Sequence, residues 1–294
     1  MKELAIIGST ASGKSDLAIK VALKKDAYIL SLDSLSIYKQ IDIASAKPSK
    51  QDLAKVPHFG VDLISVDEHF SVQNFIDLYR QTKQICLRDS KDLIIVGGTS
   101  FYLKSLLDGL SPLPVVSKEV EQKASIAMQD QRSAYESLYA LDPLYMSKIA
   151  SNDTYRTQKS LLIYYASGVT PSEWFRANPP KPIIKDLAIY NISTERDLLR
   201  SRIEKRTTNM LEDGLIDEVK ELEKRYGMEP KPMKSIGIKE TLEYLSGEID
   251  LSELHTLINT HTAQLAKRQR TFNRSAFKDA MTAPLEELRE VLLS

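Results

Sequence analysis

The chain has 294 residues, with 40 Lys+Arg against 40 Asp+Glu, 42% hydrophobic residues and a single cysteine. This length and apolar content suffice for one large domain or two modest ones and do not force disorder. Zero net charge argues against an indiscriminate polyanion binder while allowing a local basic face. The lone Cys86 excludes an internal disulfide and a multi-cysteine zinc site.

The opening Met-Lys-Glu-Leu-Ala-Ile-Ile-Gly is too short for a signal peptide and reads as the first strand. No apolar run approaches membrane length, so a cytoplasmic protein without membrane contact is expected. Next comes Gly8-Ser9-Thr10-Ala11-Ser12-Gly13-Lys14-Ser15, the G-x-x-x-x-G-K-[ST] phosphate loop, followed by a helical stretch over 16–24. Its backbone N–H groups and the positive end of the helix face phosphate oxygens. Lys14 supplies a mobile positive charge and Ser15 a hydroxyl for Mg²⁺.

Residues 28–32 form a short β-prone run ending at Asp33-Ser34, as expected for a second parallel strand whose carboxyl end faces the phosphate loop. The polar stretch 35–48 reads as a site loop. A short strand is expected at 61–64, and a helix over 72–90 with Phe75, Leu78, Ile85 and Cys86 on its apolar face. Leu93-Ile94-Ile95-Val96 is the clearest buried strand; it ends in Gly97-Gly98-Thr99 and should lie beside the first. A helix begins at 102 and stops at Gly109 and the Pro112–Pro114 break.

Over 117–176 the β-branched runs disappear and apolar residues recur at helical spacing, which reads as an inserted helical subdomain. Asn152-Asp153 cap one of its helices, Gly168 ends it, and Trp174 is a packing anchor. Residues 179–182 form the return linker and 187–192 the next strand. The last third reads as mostly helical. Thr194 caps a helix carrying Leu199, Ile203 and Met210 on one stripe and Arg202 and Arg206 on a neighbouring face. A long helix from about Ser252 ends in Lys267-Arg268-Gln269-Arg270.

Asp33 is placed to act as a base for a nucleophile, to hold Mg²⁺ through water, or only to cap its strand. Arg202 and Arg206 suit either a diphosphate clamp or a solvated face. The basic run 267–274 with Phe272 suits a nucleic-acid face or a cationic helix end. The four histidines, His58, His69, His255 and His261, show no metal-ligand spacing. These residues alone leave open a small-molecule kinase with ATP in the loop and a non-catalytic RNA-binding module.

Taken together, the phosphate loop, Asp33-Ser34-x-x-Ile37-Tyr38, Ala46-Lys47-Pro48, Gly97-Gly98-Thr99-x-x-Tyr102-Leu103, Arg206-x-x-x-Met210-Leu211-x-x-Gly214-Leu215, Ile236-Gly237-x-Lys239-Glu240 and Ala266-Lys267-Arg268-Gln269 resemble the bacterial tRNA dimethylallyltransferases over essentially the whole chain. Ser36, Ala44-Ser45, Ser100-Phe101 and Phe272-Asn273 depart from the family's usual residues.

The resemblance implies an α/β fold: a P-loop NTPase-like parallel-sheet core over 1–116 and 180–294, with helices at the C-terminal end and an all-helical tRNA-binding insert over 117–179. It implies transfer of a dimethylallyl group from dimethylallyl diphosphate to N6 of adenosine 37 in tRNAs reading codons that begin with U. In that reading Asp33 is the base and residues 8–15 hold the diphosphate. Thr10 donates to its bridging oxygen, Arg206 meets the leaving charge, and Mg²⁺ binds near Ser15. The tRNA anticodon stem-loop would be contacted by Asp33, Ser34, Leu35, Ser36, Thr99, Tyr155, Arg156, Lys159, Lys234 and Lys239. Lys267, Arg268 and Arg270 would hold its phosphates, with affinity falling steeply in salt. A monomer is expected.

Overall fold

The computed structural model describes residues 1–294. It divides into two compact units, Met1–Ser105 with Ile184–Ser294, and Leu106–Ile183.

The first unit is built on six parallel strands: β1 (Glu3–Gly8), β2 (Ala27–Ser31), β3 (His58–Phe59), β4 (Asp92–Gly97), β5 (Ala188–Ser193) and β6 (Met281–Pro284). Their spatial order is β3-β2-β4-β1-β5-β6. The central runs Ala5–Ile7 of β1 and Leu93–Ile95 of β4 are buried, as a parallel sheet covered on both faces requires. They pair as expected, Ala5 opposite Ile95 and Ile6 opposite Val96.

In chain order the unit's first helices are α1 (Lys14–Lys25), α2 (Lys50–Lys55), α3 (Val72–Asp89) and α4 (Ser100–Asp108), the last running into the second unit. Ser71 and Asn74 form a reciprocal capping box that starts α3. Its buried stripe is Phe75, Ile76, Tyr79, Thr82 and Cys86, rotated from the expected face, with Leu78 and Ile85 at its margin.

The second unit holds α5 (Lys118–Ala127), α6 (Gln131–Leu141), α7 (Pro143–Met146), α8 (Thr154–Ser167) and α9 (Pro171–Ala177), with no strand. Ala124, Leu138, Met146 and Leu161 form its core. Asp142 caps α7 through Tyr145 N and also accepts from Ser172 N and Oγ, joining α7 to α9. Asp153 caps α8, and Gly168 ends it at φ 76°, a left-handed conformation that glycine adopts without strain. Trp174 Nε1 donates to the Pro112 carbonyl at 2.9 Å and ties α9 to the entering chain.

The remaining helices belong to the first unit: α10 (Arg196–Glu212), α11 (Leu215–Tyr226), α12 (Ile238–Leu245), α13 (Leu251–Ala276) and α14 (Leu285–Leu293). Four sequence expectations need correction. The strand expected at 61–64 is a bend at Val61-Asp62, with Asp62 at φ 54°, followed by one isolated parallel bridge from Ile64 to Tyr38; the sheet edge is instead made by His58-Phe59, pairing with Ile29 and Leu30. Thr194 caps nothing: α10 begins after Glu195, which makes no side-chain cap, and Thr194 Oγ1 is buried without a partner. The long C-terminal helix does not end at the basic run but continues to Ala276. Finally, the last segment contains strand β6, parallel to β5, which the helical reading missed.

Gly97 ends β4 where the chain passes closest to β2. A Cβ there would lie 2.6 Å from Leu32 Cβ and 2.7 Å from the Leu32 carbonyl carbon and oxygen. Backbone cannot yield as a flexible side chain can. Gly97→Ala is therefore expected to cost about 2–3 kcal/mol through overpacking, read as a lower urea midpoint at unchanged slope.

Candidate functional site

The phosphate loop leaves β1 at Gly8 and enters α1 at Lys14. Ala11 (φ 60°) and Gly13 (φ 88°) adopt left-handed conformations on either side of Ser12, and this alternation curls the backbone into a concavity. The hydroxyls of Ser9 and Ser12 are buried without partners. Lys14 Nζ donates to the Ser9 carbonyl at 3.0 Å, which sets the ammonium across the loop.

Side chains distant in sequence fasten this loop. From α10, Arg206 donates to Thr10 Oγ1 at 3.2 Å and Arg202 to the Ser12 carbonyl at 3.4 Å. From α13, Gln269 accepts from Thr10 N at 2.8 Å through Oε1 and donates to the Gly98 carbonyl at 3.1 Å through Nε2. One amide thus ties the loop to the end of β4. The sequence analysis quotes Gln269 within a family motif but assigns it no role, because its partners Thr10 and Gly98 lie far away in the chain.

Asp33 follows β2 and is held by its neighbours. Leu32 N donates to the Val96 carbonyl and Thr99 N to the Leu32 carbonyl, while Ser34 N donates to Thr99 Oγ1. Asp33 Oδ1 accepts from Leu35 N at 2.8 Å and Ser36 N at 3.1 Å. This turn fixes the carboxylate and leaves Oδ2 uncommitted. Ser36 is buried, its hydroxyl 3.3 Å from that of Ser31.

Thr10, Lys14, Ser15, Asp33, Ser34, Leu35, Ser36, Thr99, Arg206, Lys234 and Gln269 all line one cavity of about 380 Å³. Its charges act on one another. Burial lowers the Lys14 ammonium from 10.5 to about 8; the positive Arg206 pushes the same way, and Asp33 opposes both. Burial also holds Arg206 below the usual guanidinium value, again opposed by Asp33. An anion entering this cavity would restore the balance of two cations to one carboxylate.

Two ionic clips missed in the sequence shape the loop over the cavity. Lys47, its side chain 5% exposed, donates to the Tyr38 carbonyl and to the carboxylates of Asp42 and Asp62. Glu218 of α11 accepts from three successive amides, those of Asp42, Ile43 and Ala44. Beside the Lys234 to Ile236 wall, buried Glu240 accepts from Gly237 N and meets His261 Nδ1 at 2.5 Å.

The other expected contacts lie elsewhere. Lys239 is exposed and pairs with Glu243 at 3.5 Å. Lys267 and Arg270 line a separate groove between α10 and α13, and Arg268 faces solvent near Phe272. Tyr155, Arg156 and Lys159 belong to α8 of the second unit. There Tyr155 is 67% exposed, Arg156 pairs with Asp153, and Lys159 Nζ lies 5.8 Å from the Tyr155 ring centre.

No group of three or more His, Cys, Asp or Glu residues stands close enough to enclose a metal ion. The donor set at the cavity suits a small hard cation held mainly by a ligand's phosphates and water, with the Ser15 hydroxyl as the protein's contribution; Mg²⁺ binds in this way. The unpartnered hydroxyls of Ser9 and Ser12 beside it fit a phosphate-bearing ligand.

Residues 36–276 match the model of the IPP transferase family. The chain is 58% identical over 294 residues to the tRNA dimethylallyltransferase of Sulfurimonas denitrificans, covering 100% of this chain and 99% of that one. It is 50% identical over 293 residues to the tRNA dimethylallyltransferase of Campylobacter concisus, covering 99% and 98% of the two chains. Among solved structures, a eukaryotic dimethylallyltransferase caught acting on tRNA superposes with TM-score 0.84 at 28% identity, over 98% of this chain and 75% of that one. The full-length tRNA isopentenylpyrophosphate transferase from Bacillus halodurans gives TM-score 0.72 at 26% identity, over 99% and 94%.

Proposed function

This chain belongs to the IPP transferase family and transfers a dimethylallyl group to tRNA, and we propose that the donor is dimethylallyl diphosphate and the acceptor N6 of adenosine 37, beside the anticodon of tRNAs that read codons beginning with U. The observation that carries this reading is the single cavity in which the free Oδ2 of Asp33 shares space with Lys14, Arg206 and the phosphate loop.

The chemistry needs both ends of that cavity. An exocyclic adenine amine is a weak nucleophile because its lone pair is delocalised into the ring. As the N6–C1 bond forms, its proton becomes acidic and passes to Asp33; the C1–O bond breaks and diphosphate departs with the electron pair. A carboxylate of ordinary basicity suffices as acceptor. The growing negative charge on the leaving group meets the loop amides, Lys14 and Arg206, which are already in place and need no reorganisation. Thr10, held by Arg206, is positioned to donate to the bridging oxygen. Mg²⁺ bound through the diphosphate and Ser15 would supply further positive charge to the departing oxygens.

Adenosine 37 must leave its stack to reach Asp33, at a cost of a few kcal/mol offset by contacts to neighbouring nucleotides. Ser34 to Ser36, Thr99 and Lys234 line the cavity and are the candidates for these contacts in the first unit. The exposed Tyr155, Arg156 and Lys159 of α8 present an aromatic and basic face for the same RNA, giving the second unit its role as a tRNA-binding insert.

Incubating an unmodified tRNA carrying adenosines at positions 36 and 37 with the protein, Mg²⁺ and dimethylallyl diphosphate should add one dimethylallyl mass to adenosine in its nucleoside digest. No gain with an active tRNA preparation would refute the reading.

Lys14 adds a pH dependence. Its ammonium holds phosphate only when protonated, which is so below about 8. Donor affinity is therefore full below that value and lost as pH rises through it. Calorimetric titration with dimethylallyl diphosphate should show affinity falling about tenfold from pH 7 to pH 9, following the protonated fraction; a flat profile would mean Lys14 does not contact the donor.

A further inference from the structure

Two helices fasten the phosphate loop and then continue along the cavity of Asp33. Arg206 of α10 and Gln269 of α13 both hold Thr10. Four residues farther from the loop on each helix, about 6 Å along the axis and on the same face, the polar side chain gives way to an apolar one. These are Met210 on α10 and Leu265 on α13, and both line the cavity together with Ile236 and Ala44. A prenyl diphosphate whose phosphates occupy the loop would therefore meet hydrocarbon one helical turn away, where burial of its tail is favourable.

Ala44 closes this apolar end. It is 6% exposed and packs in one buried cluster with Met210 and Ile258. A Cβ built on Gly237 would meet Met210 Cε at 3.6 Å and Ala44 Cβ at 4.0 Å, so these groups leave little space between the loop of Ala44 and the turn that follows Ile236.

The loop is held from behind. Glu218 does not line the cavity, yet its Oε2 accepts from Asp42 N at 2.9 Å and Ile43 N at 2.8 Å, and its Oε1 from Ala44 N at 3.0 Å. Successive amides converging on one carboxylate form a nest for an anion, and a charged acceptor holds them more strongly than a neutral one. Two residues on, Ala46 sits at φ 47°, a left-handed conformation that a residue with a Cβ keeps only where its surroundings impose it. The loop thus keeps a conformation set by its clips.

We infer that Glu218 is a positioning residue for donor selection. On the reading that the donor is dimethylallyl diphosphate, Glu218 fixes Ala44 as the end wall of the tail seat, and that wall sets the length of prenyl chain the cavity admits. A tail longer by one isoprene unit runs into Ala44 and Gly237, and the mismatch discriminates against it.

The test is calorimetric titration of the full chain, without RNA, with inorganic diphosphate, dimethylallyl diphosphate and geranyl diphosphate. Two variants are compared with the parent. In Glu218→Gln one oxygen keeps two of the amides while the NH₂ opposes the third, which loosens the loop. Ala44→Gly keeps all three amide bonds and removes only the methyl group of the wall. The parent should prefer dimethylallyl over geranyl diphosphate by about tenfold or more, and both variants should cut that preference about 5–10-fold. Inorganic diphosphate, which has no tail, should bind all three proteins equally. In transfer assays Glu218→Gln should raise the KM for dimethylallyl diphosphate about threefold with kcat at saturating donor near that of the parent.

A variant that had only lost stability would scale all three ligands alike and leave the preference fixed, and that result would overturn the proposal. So would a parent in which neither tail adds affinity over inorganic diphosphate, or a preference that changes in Glu218→Gln but not in Ala44→Gly. Weaker inorganic diphosphate in Glu218→Gln would place its influence at the phosphate loop instead of the tail. Because affinities are read without RNA, absence of transfer by the parent would count against the proposed reaction and not against the role of Glu218.

Discussion

Replacing Asp33 by asparagine should lower kcat by about 10²–10⁴-fold, the usual contribution of a positioned general base, with RNA and donor affinities close to those of the parent. The choice of asparagine follows from the turn. Asp33 Oδ1 accepts from Leu35 N and Ser36 N, and an asparagine oxygen can accept the same two bonds while its NH₂ takes the place of Oδ2 and cannot receive a proton. Asp33→Ala removes both functions, so it should show the same loss of kcat and, in addition, weaker RNA binding as residues 34–36 are released. Single-turnover transfer together with fluorescence binding separates the two. If asparagine retained more than about a tenth of the rate, Asp33 would be an organiser of the turn and the proton would leave by another route.

Removing Arg206 should be nearly as damaging and through a different term. On the proposed reaction, Arg206→Gln deletes a cation preset against the leaving group; it also frees the Thr10 hydroxyl that Arg206 holds. A fall in kcat of about 10²–10³-fold is expected, the scale for losing one preorganised donor to a developing negative charge. The variant carries a second signature. Arg206 is one of two causes that depress Lys14, the larger being burial. Without that neighbouring charge the Lys14 ammonium should titrate at higher pH. The donor-affinity profile should therefore shift to the alkaline side in Arg206→Gln while the affinity at neutral pH drops. An unmoved inflection would show that the two cations do not share one field.

The parts of this architecture that could be read from the sequence are those specified by neighbours along the chain. An apolar run between polar flanks gives β1 and β4, and fixed spacing gives the phosphate loop. Asp153 and Gly168 bound α8 because capping is local chemistry. The residues expected at the site, Lys14 and Asp33 from the phosphate loop and the strand end, and Thr10, Thr99, Arg206 and Lys234 from the family resemblance, line a single cavity. What was not legible depends on partners far away. Gln269 looks like a spacer between arginines until α13 crosses the phosphate loop. Lys47 acquires its role only when Asp42 and Asp62 fold around it. The apolar pattern Val61-x-Leu63-Ile64 resembles a strand more than His58-Phe59 does, yet two backbone pairs with β2 settle the edge in favour of the latter. Thr194 is a good cap by type, but α10 starts one residue too late for it.

β6 and α14 illustrate the same dependence on distance, and they bear on how the protein matures. Leu285, Leu288 and Leu292 pack on Leu17, Ala18 and Val21 of α1, and Leu285 closes over Gly13 at the mouth of the phosphate loop. During synthesis the N-terminal segments leave the ribosome first and begin to fold first. Here the phosphate loop precedes its buttress by some 270 residues. A nascent chain can thus assemble β1 and the loop long before α1 has its final apolar cover. Catalytic competence therefore waits on residues 281–293, and chains lacking them would hold the reacting groups without the frame that aligns them.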